Sequence, residues 1–260
     1  MSTAPAATVT AFRPPPAPSV LSERDVRLQL AACYRLVARF GMDDLVFTHI
    51  SARVPGTTDH FFINPYGLHF SEITASSLVK IDLDGNLVEN SNHDINQAGF
   101  VIHSAVHAAR HDVECVLHTH TRAGVAVSCL AEGLLPLNQF SLQFFNRIGY
   151  HDYEGIALDL DERQRLVADL GDKRILVLRN HGLLTAGRTI QEAFSLMYYL
   201  DQSCRIQLDV MASGGRALRV ADATGEKVAR QFERNGVPAG QREWPALLRM
   251  LDREDASYRD

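Results

Sequence analysis

The chain has 260 residues, 46% hydrophobic and 22% charged, enough to bury a full core as one α/β domain with peripheral additions. Its formal net charge of −5 leaves no basic footprint for nucleic acid or an anionic membrane, and no apolar run approaches the roughly 20 residues of a transmembrane helix. Four widely spaced cysteines, Cys33, Cys115, Cys129 and Cys204, form no C-x-x-C pair and read as reduced core thiols of a cytoplasmic protein.

Residues 1–20, rich in Ala, Pro and Thr, lack the basic start and apolar segment of a signal peptide and are expected to form a disordered tail. A helix is predicted from Ser22 to Phe40. Ser22 caps it with Asp25 in a weaker capping box, and Val26, Leu30, Cys33, Val37 and Phe40 form one apolar stripe. Extended segments follow at 45–53, 60–63 and 79–81, with a Pro65-Tyr66-Gly67 turn and a tight return at Asp84-Gly85-Asn86. A second helix is expected over 96–110, a strand over 113–119 and a small-residue helix over 122–130. Next come a buried strand at 175–178, a turn at Asn180-His181-Gly182 and a continuation through Leu183 to Thr185. A long helix over 190–211 turns Ala193, Leu196, Leu200 and Ile206 inward. A polar, Gly-containing stretch over 213–240 precedes a last helix at 244–253. The mixed order predicts an α/β fold, a central, largely antiparallel sheet flanked by helices on both sides in three layers. The main domain is expected over 21–214, with a C-terminal extension over 215–260.

His118-Thr119-His120 ends the run Val113 to Leu117. Residues two apart on a strand share a face, so both imidazoles aim at one point while Thr119 faces away. Two convergent histidines can chelate a divalent ion; they can equally be partly exposed side chains at a strand end. His181 is the candidate third ligand, since it follows an apolar strand and precedes a glycine that permits a tight turn. Three protein ligands with one open position is the layout of a catalytic metal site. His103, His107 and His111 recur every four residues on the second helix. They read as core or surface groups, with His107 and His111 toward the exposed end.

The His118-Thr119-His120-Thr121 segment, followed by Val177-Leu178-Arg179-Asn180-His181-Gly182-Leu183, resembles the class II aldolase/adducin family. The likeness extends through Thr48-His49-Ile50-Ser51-Ala52-Arg53, Asn96-Gln97-Ala98-Gly99-Phe100 and Tyr150-His151-Asp152-Tyr153-Glu154-Gly155, nearest the adducin branch. It implies one divalent transition metal per chain, zinc or alternatively Mn, Fe or Co, held by His118, His120 and His181. It also implies a homotetramer with sites at subunit interfaces. Sugar-phosphate aldolases of the family carry Ser-Ser-Glu at the start of the second helix, for phosphate and for acid/base work. Here those positions are Gln97, Ala98 and Gly99. The Thr-Gly of the phosphate pocket appears as Tyr66-Gly67, and the partner subunit's tyrosine aligns with Phe140. His49, Tyr153 and Glu154 are the candidate catalytic groups, in loop-like contexts with Tyr150, His151 and Asp152. Tyr66, Gly67 and Gln97 are the candidate substrate contacts. Glu72 is read as a turn support. The resulting expectation is a lyase acting on a non-phosphorylated hydroxy- or oxo-acid, by retro-aldol cleavage or decarboxylation. The alternatives are a non-catalytic adducin-like assembly module and a metal-dependent oxygenase.

Overall fold

Ser22 stands in extended backbone and accepts the amide of Asp25, whose carboxylate returns to the Ser22 amide, so the capping box predicted from the sequence starts α1 (Glu23–Arg39). The structure, a computed structural model, describes residues 21–91, 93–155, 161–233 and 236–260; the side chains of Gln97 and Ala98 lie outside that description, as does the predicted N-terminal tail.

Among the described residues, seven strands form one sheet: β1 (His49–Arg53), β2 (His60–Ile63), β3 (Val79–Asp82), β4 (Cys115–Thr119), β5 (Ile148–His151), β6 (Ile175–Leu178) and β7 (Gly182–Gly187). Their order is β3-β2-β1-β4-β7-β6-β5. Every pairing is antiparallel except β5 with β6. The helices are α2 (Gln97–Ala109), α3 (Arg122–Ser128), α4 (Gln139–Leu142), α5 (Glu162–Leu170), α6 (Ile190–Ala212), α7 (Asp222–Glu233) and α8 (Trp244–Glu254). Strand alternation divides the core as the three-layer expectation requires. Cys115, Leu117, Val177 and Leu183 face α1, α3, α6 and α8, whereas Val116, Leu176, Leu178 and Leu184 face α2 and α5.

Several expectations need correction. The first extended segment begins at His49, not residue 45, because Leu45 and Thr48 have φ of 52° and 66°, and two left-handed residues cannot continue a strand. Tyr150 and His151 lie on β5 rather than in a loop. The stretch 213–240 is not merely a polar connector. It contains α7, which seats Gly225 and Ala229 against the body and is tied down by Arg147 to Glu226 and Glu233 at 2.9 and 2.7 Å. His107 is fully buried, and Cys129 is exposed rather than in the core. On α6, Leu196 and Ile206 are only half-buried, and the inward face runs through Ala193, Met197, Leu200 and Cys204. The last helix, predicted over 244–253, docks on its own chain, where Trp244 and Leu251 join the main core.

Candidate metal centre

β4 carries His118 onto the face opposite Thr119, which points the other way and meets Met197 of α6. Leu183, its neighbour's partner on β7, supplies a carbonyl oxygen 2.9 Å from His118 Nδ1. A carbonyl only accepts, so the proton is on Nδ1 and the Nε2 lone pair faces outward. His120 repeats the arrangement with Asp44, whose Oδ2 is 3.0 Å from Nδ1. His181 arrives on the turn between β6 and β7, where Asn180 adopts a φ of 56°. Gly182 is required there. A Cβ at that position would stand 2.5 Å from the Thr119 carbonyl and within 3.3 Å of both His118 and His120.

The three Nε2 atoms converge, His118 to His120 and His120 to His181 each at 2.9 Å. Burial and the facing imidazoles hold His118 well below the usual histidine range, and His181 is pushed down to about 4, by burial first and then by His120 and His151. Neutral imidazoles with lone pairs aimed at each other repel, unless a proton or a cation lies between them. This donor set therefore fits a divalent transition metal held on three nitrogens, a layout that leaves one coordination position open.

His49 pairs with His118 across β1 and β4 and projects beneath the start of α2. It is 6% exposed, and neither ring nitrogen has a protein partner. Burial pushes it down to about 3, with His120 and His181 adding to the effect. A Cβ at Gly99 would come 2.5 Å from its ring, so the imidazole fills the space a side chain at position 99 would need. Beyond it, Ser51 Oγ lies 2.6 Å from His103 Nδ1 and 2.8 Å from His107 Nε2.

The other sequence candidates are dispersed. Tyr153 is exposed, with its ring centroid 6.5 Å from that of His181. Glu154 accepts Arg165 Nε at 2.7 Å, and that guanidinium lowers its carboxyl below the usual range. Tyr66 is exposed, and Gly67 occupies the turn at a φ of 95°. The Gln97 side chain lies outside the described residues. His151 is buried between Asp169 at 2.8 Å and Glu162 at 3.3 Å, and the Tyr150 hydroxyl accepts the Leu134 amide. Glu72 caps the short 3-10 turn Phe70–Glu72 by accepting the His69 amide. A cavity of about 480 Å³ lies at the other end of the sheet, but its guanidiniums Arg147, Arg174 and Arg188 are already met by Glu226, Asp112 and Glu192.

The profile of the Class II Aldolase and Adducin N-terminal domain matches residues 28–208. The chain belongs to the class II aldolase and adducin family. A putative aldolase class 2 protein of Caulobacter vibrioides is 52% identical over 92% of this chain and 93% of its own length. Alpha-adducin of Rattus norvegicus is 41% identical over 88% of this chain, which spans 33% of that longer protein. Among solved structures, an aldolase II superfamily protein from Pseudomonas syringae superposes with a TM-score of 0.88 at 51% identity, covering 92% of this chain and 96% of that one. An L-fuculose 1-phosphate aldolase from Glaciozyma antarctica PI12 gives 0.83 at 27% identity, covering 95% and 97%. The family likeness and the class II aldolase fold are thus established together.

Proposed function

We propose that the chain is a divalent-metal-dependent carbon–carbon lyase that cleaves or decarboxylates a non-phosphorylated hydroxy- or oxo-acid. The observation that carries this reading is the convergence of His118, His120 and His181 beside an unpartnered, buried His49 in the space above Gly99. A bound metal, zinc by preference, supplies a positive charge that polarises substrate oxygens and stabilises the negative charge developing next to a carbonyl. The protein's own groups set the rest. The Leu183 carbonyl keeps the Nδ1 proton of His118 in place, so that ring presents Nε2. His49 stays neutral, with one N–H and one lone pair left unpartnered in the buried space between β1 and α2. Tyr153, exposed beside His181, offers its phenol to the departing fragment, and Glu154 stays ionised against Arg165 at the rim.

Gly99 carries no proton, and Ala98 has no hydroxyl for phosphate, which supports a substrate without a phosphate group. Exposed Leu45 and Phe47, on the loop that carries Asp44, and exposed Tyr153 support cover by a neighbouring subunit of a homotetramer. The likeness to alpha-adducin favours a second reading, a non-catalytic assembly module with the same histidines.

Metal-loaded protein assayed against a panel of hydroxy- and oxo-acids, with L-fuculose 1-phosphate alongside, separates these readings. Turnover of one acid and at least a hundredfold less of the sugar phosphate is expected, with His181→Ala losing both metal and turnover. Efficient cleavage of the sugar phosphate would overturn the substrate reading, and no turnover across the panel would favour the assembly module.

A further inference from the structure

Besides β4 and the β6–β7 turn, a third segment of the chain reaches the three histidines. The loop between α1 and β1 holds two consecutive aspartates, and each binds a histidine. Asp43 Oδ2 is 2.8 Å from His69 Nε2. His69 Nδ1 accepts the Ser71 amide, so its proton is on Nε2 and is donated to Asp43. Asp44 Oδ2, on the next residue, is 3.0 Å from His120 Nδ1. The backbone between these contacts and β1 is strained. Leu45 and the β-branched Thr48 are both left-handed, and the loop closes on itself through a bridge between Asp44 and Phe47. In the turn built by these two residues and this bridge, the Asp44 carboxylate lies against the His120 ring.

We propose that Asp44 is a positioning residue of the metal centre, held by the left-handed Leu45 and Thr48 and by the Asp43–His69 contact so that it fixes the ring orientation and Nδ1 tautomer of His120. The inference rests on His118, His120 and His181 holding a metal, and it assigns His120 a carboxylate where His118 has the Leu183 carbonyl. The carboxylate prevents the ring from flipping and makes the ligating nitrogen a stronger donor than a carbonyl partner does. Asp44 is partly exposed at the edge of the centre, so removing its charge leaves the core untouched.

The test uses full-length protein loaded with Co²⁺, read by its visible absorption and by the rate of Co²⁺ transfer to a chelator. Asp44→Asn is expected to release metal tenfold or more faster, in line with the usual effect of losing such a partner, and to shift the Co²⁺ absorption bands. Asp44→Glu should recover most of the loss. His181→Ala should hold no Co²⁺. If Asp44→Asn keeps the wild-type spectrum and release rate while His181→Ala is empty, the positioning role fails and the metal site stands. If Asp44→Asn and Asp44→Glu are equally impaired, the loop rather than the carboxylate matters, and the proposal falls. If His181→Ala binds and releases Co²⁺ like wild type, the metal reading itself fails.

Discussion

A methyl group placed on Gly99 would sit 2.5 Å from the His49 imidazole. Replacing glycine by alanine in a helix ordinarily gains about 1 kcal/mol, whereas overpacking a closed core costs about 1–3 kcal/mol. Here the ring is buried, with strands on one side and α2 on the other, so the clash should win. Gly99→Ala is expected to lower stability by about 1–2 kcal/mol, and His49→Ala in the same chain should remove that penalty. Urea unfolding of the two single variants and the double variant measures the coupling directly; purely additive effects would show that the two residues do not share one space.

Between β1 and α2 the structure places a seam of neutral imidazoles. Burial, together with Arg53, pushes His107 down to about 3, and burial, with His49 and His107, holds His103 well below its usual range. In the unfolded chain these groups take up protons near their ordinary value of about 6.5. The unfolded state therefore binds more protons below that pH, and stability falls as pH drops from about 6.5 toward 3. Each such histidine contributes up to about 1.4 kcal/mol per pH unit. Urea midpoints measured with a chelator present should slope less steeply with pH in His107→Gln than in wild type; parallel slopes would mean that His107 is not held neutral. Elements of this kind were unevenly legible from sequence. α1, β4 and the β6–β7 hairpin carried clear periodicity and cap residues, and the convergence of His118, His120 and His181 followed from strand parity plus a resemblance. β5 is four residues long with Gly149 inside it, and α7 buries only the small Gly225 and Ala229 within a polar stretch, so neither offers a run of large buried side chains. Asp44 reaches its partner across a separation of 76 residues from a left-handed loop, which no local pattern announces.

At the scale of the whole molecule, the two ends of the described chain meet. Trp244 and Leu251 of α8 enter the main core, Arg35 of α1 reaches Asp255 at 3.0 Å, and the Tyr258 carbonyl accepts the Ala75 amide. Large side chains buried this way contribute about 1.5–3 kcal/mol each, so a chain ending at Gly240 should lose about 5 kcal/mol or more and unfold at much lower urea. Light scattering of the full-length protein should report a tetramer. An equally stable truncated chain would mean that the terminal segment is dispensable to the fold, and a full-length monomer would remove the assembly reading. The shared space of His49 and Gly99 also bears on how such a molecule can be altered. A glutamate installed at position 99 alone meets an occupied site, and a small residue installed at position 49 alone leaves a hole beside helix α2. Anyone redesigning this pocket toward a carboxylate-bearing one must exchange both residues in a single step, and aligned sequences should show the two columns changing together. Diversification of the site would then proceed by paired replacement, each single intermediate being less fit than either end.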